Sequence, residues 1–266
     1  MNLNRPRLNT EQLKVVQQMK GNGNVKSYLV MGCLHIPFHN KHIMKGIYDL
    51  MKCRKFDGLL IGGDFLDMGA LSSYEKGKIN KTGINLEDEY FAGNIVLDEL
   101  ESGLPKNAEK VFMFGNHENR YYRWLADVDN NKYGNLIDPI EALKLKKRGW
   151  TVYNEYKKDQ HRIGSLHVFH GDFWNIHVAK KTLDTWKRNV LFWHTHRSQM
   201  YREGDFCAYN VGFLGNINSE AFDYAPRSQK NKWANGFAIV HVIENRHYVE
   251  MINCVGNGFV YGGVWY

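Results

Sequence analysis

Five short segments of the sequence contain side chains that bind metal ions, and four of the five also contain glycine. Each segment directly follows a short apolar run that is typical of a buried strand. Histidine, carboxylate, amide and thiolate groups supply the nitrogen, oxygen and sulfur atoms that coordinate Mn²⁺, Fe²⁺ and Zn²⁺. Glycine lets the backbone turn sharply, so that the next side chain can point into a shared crevice. The segments are Gly32-Cys33-Leu34-His35, Gly63-Asp64-Phe65-Leu66-Asp67, Gly115-Asn116-His117-Glu118, His170-Gly171-Asp172 and His194-Thr195-His196.

The first half of the chain must place three of these segments at strand ends. Apolar runs predict strands over 25–31, 57–62 and 109–114, and helical periodicity predicts helices over 41–53 and 84–101. This β-α-β-α-β order is typical of an α/β domain whose site lies at the carboxyl ends of its strands. In the helix over 84–101, the residues expected to face inward are Ile84, Phe91, Ile95, Leu97 and Leu100. Three further helices are predicted over 10–20, 117–126 and 138–147.

From Trp150 onward, short strands with hairpins dominate, and one helix, at about 176–187, interrupts them. The two segments that begin with His170 and His194 follow strands of this half. The strands are predicted over 150–156, 161–164, 166–170, 189–193, 206–212, 236–243 and 247–252.

In identity, order and strand context, the five segments resemble the motifs of the calcineurin-like metallophosphoesterases. The family motifs are written D-x-H, G-D-x-x-D, G-N-H-[DE], H and G-H-x-H, and the resemblance spans about residues 25–200. It implies an α/β fold in which two sheets form a β-sandwich flanked by helices, with a dinuclear metal site at the strand ends. It also implies a phosphoester hydrolase that uses a metal-bridging hydroxide.

The resemblance implies a role for each matching residue. His117 would bind no metal and would lie near the scissile phosphate as a hydrogen-bond or proton donor, and Asp67 would orient a ligand histidine. The catalytic residues would be His117, Asp64 and Asn116. The ligands of two divalent ions (Mn, Zn or Fe) would be Cys33, His35 and His196 for the first ion, Asn116, His170 and His194 for the second, and Asp64 for both.

Cys33 departs from the family pattern, which has aspartate at this position. The residue could be a thiolate ligand of the first ion and favour Zn or Fe. It could instead be a lost ligand that leaves the first ion weakly bound, or a small buried residue beside a single filled site. We expect the first, because a thiol beside two cations readily loses its proton.

Composition narrows the class of protein. Of the 266 residues, 43% are hydrophobic and 24% charged, which is typical of a folded globular chain. Without a proline-rich linker or a repeat, we expect 1–266 to form a single domain, with a cap at about 120–160 over the crevice. No apolar run has the length of a membrane helix and no signal peptide is evident, so we expect a cytoplasmic location. Four scattered cysteines also favour a reducing compartment.

The motifs indicate a reaction class but leave the substrate open. A net charge of +7 and the aromatic residues Phe173, Trp174, Trp193 and Tyr201 are compatible with nucleotides or nucleic acid, although core packing also explains aromatic residues. Arg120 and Arg197, which follow the third and fifth motifs, could bind a substrate phosphate or lie at the surface.

Three functions fit the sequence. The leading hypothesis is a phosphodiesterase or phosphatase, the second is a DNA or RNA nuclease of the same fold, and the third is a metal-bound interaction module without turnover. The partner expected in the first two cases is a phosphoester substrate, and no membrane partner is expected. The oligomeric state is open.

Overall fold

Two β-sheets and their covering helices make up residues 25–72, 83–127 and 138–266, the part of the chain that the computed structural model describes. The helix predicted over 10–20 lies outside these residues. The helices are α1 (Lys41–Cys53), α2 (Leu86–Ser102), α3 (Asn119–Leu125), α4 (Pro139–Ala142), α5 (Val178–Trp186) and α6 (Arg227–Lys230). The strands are β1 (Lys26–Met31), β2 (Gly58–Gly62), β3 (Glu109–Met113), β4 (Thr151–Tyr153), β5 (His161–Ile163), β6 (Leu166–Val168), β7 (Val190–Phe192), β8 (Ser198–Glu203), β9 (Phe206–Val211), β10 (Gly236–Ile243), β11 (Arg246–Asn253), β12 (Val260–Tyr261) and β13 (Val264–Trp265).

The first sheet has the strand order β11-β10-β1-β2-β3-β4. Strands β1 to β4 run parallel, with Val30 opposite Leu60 and Leu60 opposite Val111. Strands β10 and β11 are antiparallel additions beside β1. Because β1, β2 and β3 point the same way, the three motif segments that follow them emerge at one edge of the sheet.

The second sheet has the order β5-β6-β7-β9-β8, and β6, β7 and β9 are parallel. The segments that begin with His170 and His194 therefore also leave one common edge. Strand β8 was not predicted, because its sequence SQMYRE has no apolar run and its residues are half-buried or exposed. It forms through its antiparallel pairing with β9 at the margin of the sheet.

The two faces of the first sheet belong to two separate cores. Leu29, Leu59 and Phe112 pack on the helical side, in the same cluster as the buried residues of α1 and α2. Val30 and Leu60 point the other way and pack between the two sheets. Since successive side chains of a strand alternate between faces, burial on both sides explains why β1 and β2 read as continuous apolar runs. The predicted sandwich of two sheets flanked by helices is confirmed.

Trp193 fills the space between the sheets directly beneath the motif segments. It is completely buried. A Cβ atom on Gly62 would lie 1.9 Å from Cζ3 of Trp193, and one on Gly32 would lie 2.8 Å from its Cδ2. Real Cβ atoms do not approach so closely, so the ends of β1 and β2 can meet the indole only because both residues are glycine.

The inward positions predicted for the second helix are partly wrong. Leu97 and Leu100 are buried, but Phe91 and Ile95 are 72% and 48% exposed, and Ile84 lies before the helix, which begins at Leu86. The buried side also contains Glu89 and Gly93. Because the polar residue Glu89 lies on the core side, the apolar residues alone indicated the wrong buried face of the helix. The contacts of Glu89 at the candidate site, described below, account for its burial.

Residues 120–160, the range predicted to form a cap, contain α4 and β4 among the residues described there. Strand β4 is the edge strand of the first sheet, parallel to β3. The helix predicted over 138–147 is short, because Ala142 ends it and Lys144 adopts a left-handed φ of 55°. A capping role for the rest of this range stays a prediction. In the described part of the chain, no helix combines the length and apolar character needed to cross a bilayer.

The contact between Gly62 and Trp193 can be tested with a double-mutant cycle. We expect Gly62→Ala to lower the free energy of unfolding by about 1–3 kcal/mol, because the added methyl group overlaps the six-membered ring of the indole. Trp193→Phe removes that ring and should also destabilise the chain. The double variant should lose about 0.5–3 kcal/mol less than the sum of the two, as measured by urea unfolding. Simple additivity would show that the methyl group is accommodated elsewhere.

Candidate metal centre

The five motif segments meet where the two sheets come together. The backbone N–H of Cys33 donates to the carbonyl of Gly63 (2.8 Å), and that of His35 donates to the carbonyl of Asp64 (2.9 Å). At the edge of the second sheet, the N–H of Trp193 donates to the carbonyl of His170 (2.9 Å). The loops are therefore joined by backbone hydrogen bonds before any side chain contributes.

The first set of candidate ligands is His35, His196 and Cys33. The Nε2 atoms of the two histidines lie 3.0 Å apart, and one atom of each of the three residues lies within 4.8 Å of the others. Nδ1 of His35 donates to Oδ1 of Asp67 (3.2 Å), which leaves a lone pair on Nε2. Asp67 is thus the hydrogen-bond acceptor for His35.

The second set surrounds Nε2 of His170. This atom lies 3.1 Å from Oδ1 of Asn116, 3.2 Å from Oδ2 of Asp64 and 3.2 Å from Nδ1 of His194. Nδ1 of His170 donates to the carbonyl of Gly62 (2.8 Å), so a neutral His170 has only a lone pair to present at Nε2. Carboxylate and amide oxygens also only accept, and the arrangement therefore calls for a cation at this point.

Asp64 lies between the two sets. Its Oδ1 accepts the backbone N–H of His117 (2.8 Å), while Oδ2 lies 3.2 Å from His170 and 4.0 Å from Sγ of Cys33. Burial opposes ionisation of this carboxyl, but the charge of His170 and its hydrogen bond to Asp64 hold the pKa of Asp64 well below the usual range. A permanently charged oxygen is thus directed toward both sets.

Protonation equilibria match the needs of metal binding. Burial lowers the pKa of His35, and it lowers the pKa values of His194 and His196 strongly, so these imidazoles are neutral near pH 7. His170 is the exception: burial opposes its charge, but the Asp64 carboxylate raises its pKa. A proton on His170 then occupies the place for which a metal ion would compete. The donor types and their lone pairs therefore fit a divalent cation in each set.

Cys33 has the position of a ligand but resists ionisation without a cation. Its side chain is fully buried, and it lies within ligand distance of both His35 with His196 and Asp64 with His170. Burial and the Asp64 carboxylate raise the pKa of its thiol well above the usual range. A thiolate at this position therefore requires positive charge nearby.

Left-handed backbone conformations are concentrated at the site. A non-glycine residue with φ near +50° is strained by about 1–2 kcal/mol, because its Cβ approaches the following carbonyl. Such strain persists where the surrounding structure imposes it, and it turns these side chains out of their strands toward one another. The candidate ligands with positive φ are Cys33 (49°), His35 (53°), Asp64 (48°), His194 (68°) and His196 (58°).

Two buried glutamates, to which the sequence analysis assigned no role, hold the motif loops. Oε2 of Glu118 accepts the N–H groups of Asp64 (2.9 Å) and Gly115 (2.8 Å), and Oε1 accepts that of Leu66 (3.0 Å). Glu89 of α2 accepts the N–H groups of Met68 and Gly69. Burial and the neighbouring Asp67 carboxylate raise the pKa of Glu89 to about 8. A signal for Glu118 was its place before helix α3, where an acid is favoured.

His117 and Arg120 lie together beside Asp67. Nδ1 of His117 is hydrogen-bonded to the carbonyl of Asp67, and Nη2 of Arg120 lies 3.1 Å from Nε2 of His117. Nη1 of Arg120 donates to the carbonyls of Asp67 (2.8 Å) and Met68 (3.3 Å). This pattern assigns the proton of a neutral imidazole to Nδ1. Before His117 could donate a proton from Nε2, it would have to gain one and Arg120 would have to turn away.

Arg197 has a different environment from Arg120. Its Nη1 donates to the carbonyls of Asn175 (3.0 Å) and Ile176 (3.3 Å). These bonds stabilise the loop before α5 and leave the phosphate-binding role that was predicted for Arg197 without a contact that supports it.

Comparisons with known proteins give distant structural neighbours only. No protein-family model matches the sequence, and no curated protein matches it. A single mutant of Vps29 from Entamoeba histolytica is 12% identical, with 90% of this chain and 96% of that chain covered and a TM-score of 0.43. A predicted phosphoesterase from Streptococcus pneumoniae is 15% identical (91% and 96% covered, TM-score 0.38). Yfce, a phosphoesterase from E. coli, is 10% identical (84% and 98% covered, TM-score 0.37). At such distances the chemistry has to be argued from the residues themselves.

The role of Glu118 can be tested by replacing one of its oxygens. In Glu118→Gln, one amide N–H₂ must face backbone N–H donors, so we expect the free energy of unfolding to fall by about 1–3 kcal/mol. Glu99→Gln, at an exposed position of α2, should change it by less than about 0.5 kcal/mol. Urea unfolding measures both values. An unchanged stability of the Glu118 variant would mean that the native side chain is a neutral carboxyl.

The three hypotheses for Cys33 differ in metal content. We expect Cys33→Ala to weaken Zn²⁺ binding by about 10- to 100-fold or more, since even outer partners of metal ligands have effects of that size. Cys33→Ser, which offers oxygen, should lose more affinity for Zn²⁺ than for Mn²⁺. Titration calorimetry with metal analysis of the dialysed chain measures this, and Cys207→Ala, at a buried position in β9, is the matched control. Unchanged stoichiometry and affinity in both Cys33 variants would exclude a ligand role.

Proposed function

We propose that the chain is a metal-dependent phosphoester hydrolase of the calcineurin-like metallophosphoesterase type. The observation that carries the proposal is the convergence of nitrogen and oxygen atoms able to bind a metal from all five motif segments in one buried place, with contacts of 3.0–3.2 Å between them. Burying so many polar and ionisable groups together is costly unless a further partner compensates them. A pair of divalent ions satisfies them together.

The ligand assignment follows from the two sets and their shared oxygen. We assign His35, His196 and Cys33 to one ion, and Asn116, His170 and His194 to the other, with Oδ2 of Asp64 between them. Imidazole and carboxylate donors suit Mn, Fe and Zn, and the sulfur of Cys33 favours Zn or Fe.

When bound, the ions would act as Lewis acids toward the phosphate oxygens and lower the pKa of a water molecule that attacks phosphorus. The residues of the chain prepare this step. The N–H of His117 binds Oδ1 of Asp64, which leaves Oδ2 free to serve as a ligand. Asp67 and the carbonyl of Gly62 orient His35 and His170 through their Nδ1 atoms. Arg120 places a permanent positive charge beside His117, where it would stabilise negative charge on the phosphate.

Hydrolysis of two chromogenic substrates tests the proposal. We expect the metal-loaded chain to hydrolyse bis(4-nitrophenyl) phosphate or 4-nitrophenyl phosphate with Mn²⁺, Zn²⁺ or Mg²⁺. Asp64→Ala and Asn116→Ala should lower kcat by about 100-fold or more, because each removes an oxygen from the second set. The rate ratio of the two substrates tells a diesterase from a monoesterase.

The control is Asp205→Ala, which changes an exposed carboxylate in the turn between β8 and β9 and should leave kcat unchanged. Degradation of a single-stranded oligonucleotide that disappears in the Asp64 and Asn116 variants would favour the nuclease. A chain that binds metal but hydrolyses neither chromogenic substrate nor oligonucleotide would contradict the proposal and favour a non-catalytic interaction module.

A further inference from the structure

We propose that Trp174 is a stacking platform for a nucleobase, so that the phosphoester bound at the metal centre belongs to a nucleotide unit. This inference rests on the proposed phosphoesterase function and specifies its substrate class.

Trp174 differs in burial from Phe173, Trp193 and Tyr201, the other three aromatic residues named with it from the sequence. Trp193 is fully buried, and Phe173 and Tyr201 are partly buried against the core between the sheets. Core packing therefore explains these three residues. Trp174 is 65% exposed, although an indole is among the largest apolar groups a chain can bury. Core packing therefore does not explain the exposed position of Trp174.

The position of Trp174 relates it to the metal centre. Its ring centroid lies 3.8 Å from that of His194, with 57° between the ring planes. Tyr156 also lies near this histidine, with its ring centroid 6.4 Å from that of His194 and 5.7 Å from that of His170. Two aromatic rings therefore border the second ligand set, and one of them is open to solvent.

The loop that carries Trp174 is held in place from outside the site. Arg197 donates to the carbonyls of Asn175 and Ile176, and Nε2 of Gln199 donates to that of Ile176 (2.7 Å). The ring of Phe173 is covered by Nζ of Lys181 at 5.5 Å from its centroid. The exposed indole is thus presented by an anchored loop, and a preorganised surface costs less free energy on binding than a mobile one.

Cations near the two ligand sets favour an anionic ligand. Nζ of Lys157 lies 5.6 Å from the ring centroid of Tyr156, which borders the second ligand set. Arg120 adds a second cation at the other ligand set, and the whole chain carries a formal charge of +7. Bound metal ions would add further positive charge. A phosphate at the second ligand set would lie close to His194, whose ring contacts the indole.

A nucleobase fits this combination of charge and aromatic surface. Every base presents a π-face, and stacking of a base on an aromatic side chain contributes about 1–3 kcal/mol with little sequence preference. Phosphates of lipids and of serine or threonine lack a flat ring for this surface. A free nucleotide and a single-stranded nucleic acid share the required chemistry.

The test compares two diesters with the same leaving group, thymidine 5′-(4-nitrophenyl) phosphate and methyl (4-nitrophenyl) phosphate. We expect Trp174→Ala to lower kcat/KM for the thymidine ester by about 10- to 100-fold and to leave the methyl ester within about twofold. Trp174→Phe should retain most of the activity, because phenylalanine still stacks. Trp265→Ala, which removes a 62% exposed indole from β13 of the C-terminal hairpin, should change neither rate.

Equal losses for both esters would overturn the proposal, since Trp174 would then act only by positioning His194. If the wild-type chain hydrolyses neither ester, the proposed function fails, and the platform is tested by binding alone. Thymidine 5′-monophosphate should then bind the Mn²⁺-loaded chain at least about fivefold more tightly than ribose 5-phosphate, and Trp174→Ala should abolish the difference. Equal affinities would overturn the platform. A short single-stranded oligonucleotide that binds more tightly than the monophosphate identifies nucleic acid as the source of the base.

Discussion

The site depends on an excess of buried lone pairs over protons. His170, Asn116, Asp64 and His194 turn acceptor atoms toward one point, and His35 and His196 do the same at a second point. Hydrogen bonds from Nδ1 of His35 and of His170 prevent the rings from turning their protons inward. Without a metal ion, a proton on His170 compensates part of this excess of lone pairs, because Asp64 raises the pKa of His170. A divalent ion compensates more groups at once, because it offers several coordination positions.

The local strain of the site is supported by the rest of the fold. Five candidate ligands have a left-handed backbone, and the loops that carry them are restrained by carboxylates of neighbouring segments. Glu118 binds three backbone N–H groups of the second and third motif segments, and Glu89 binds two more at the end of the second. These two acids are buried where they bind the N–H groups of the loops, although burial raises the pKa of each. Rigid loops of this kind allow ligand geometry to exist before the ligand binds.

Much of the fold was predictable from the sequence, because its signals are local. Apolar runs that end in glycine located β1, β2 and β3, and the motif segments after them meet as expected. The buried face of the second helix was harder to predict, because Glu89 lies on its buried side and Phe91 on its exposed side. The burial of Glu89 depends on its hydrogen bond to the loop at Met68, which the helix sequence does not reveal. Strand β8 forms by pairing with β9 and carries no apolar pattern of its own. The contact between His117 and Arg120 is likewise one that no spacing rule reveals.

The indole of Trp193 sets the spacing between side chains in both ligand sets. Its indole separates the ends of β1 and β2 from β7, and the next residue along the chain is His194, whereas Gly62 is two residues before Asp64. The thickness of one aromatic ring thus sets how far a histidine of the second sheet stands from a carboxylate of the first. Because each ligand set draws residues from both sheets, any change in that thickness would alter the distances between ligands within each set without replacing one of them. The choice of side chain at this buried position is therefore a means of tuning ligand spacing from beneath the pocket.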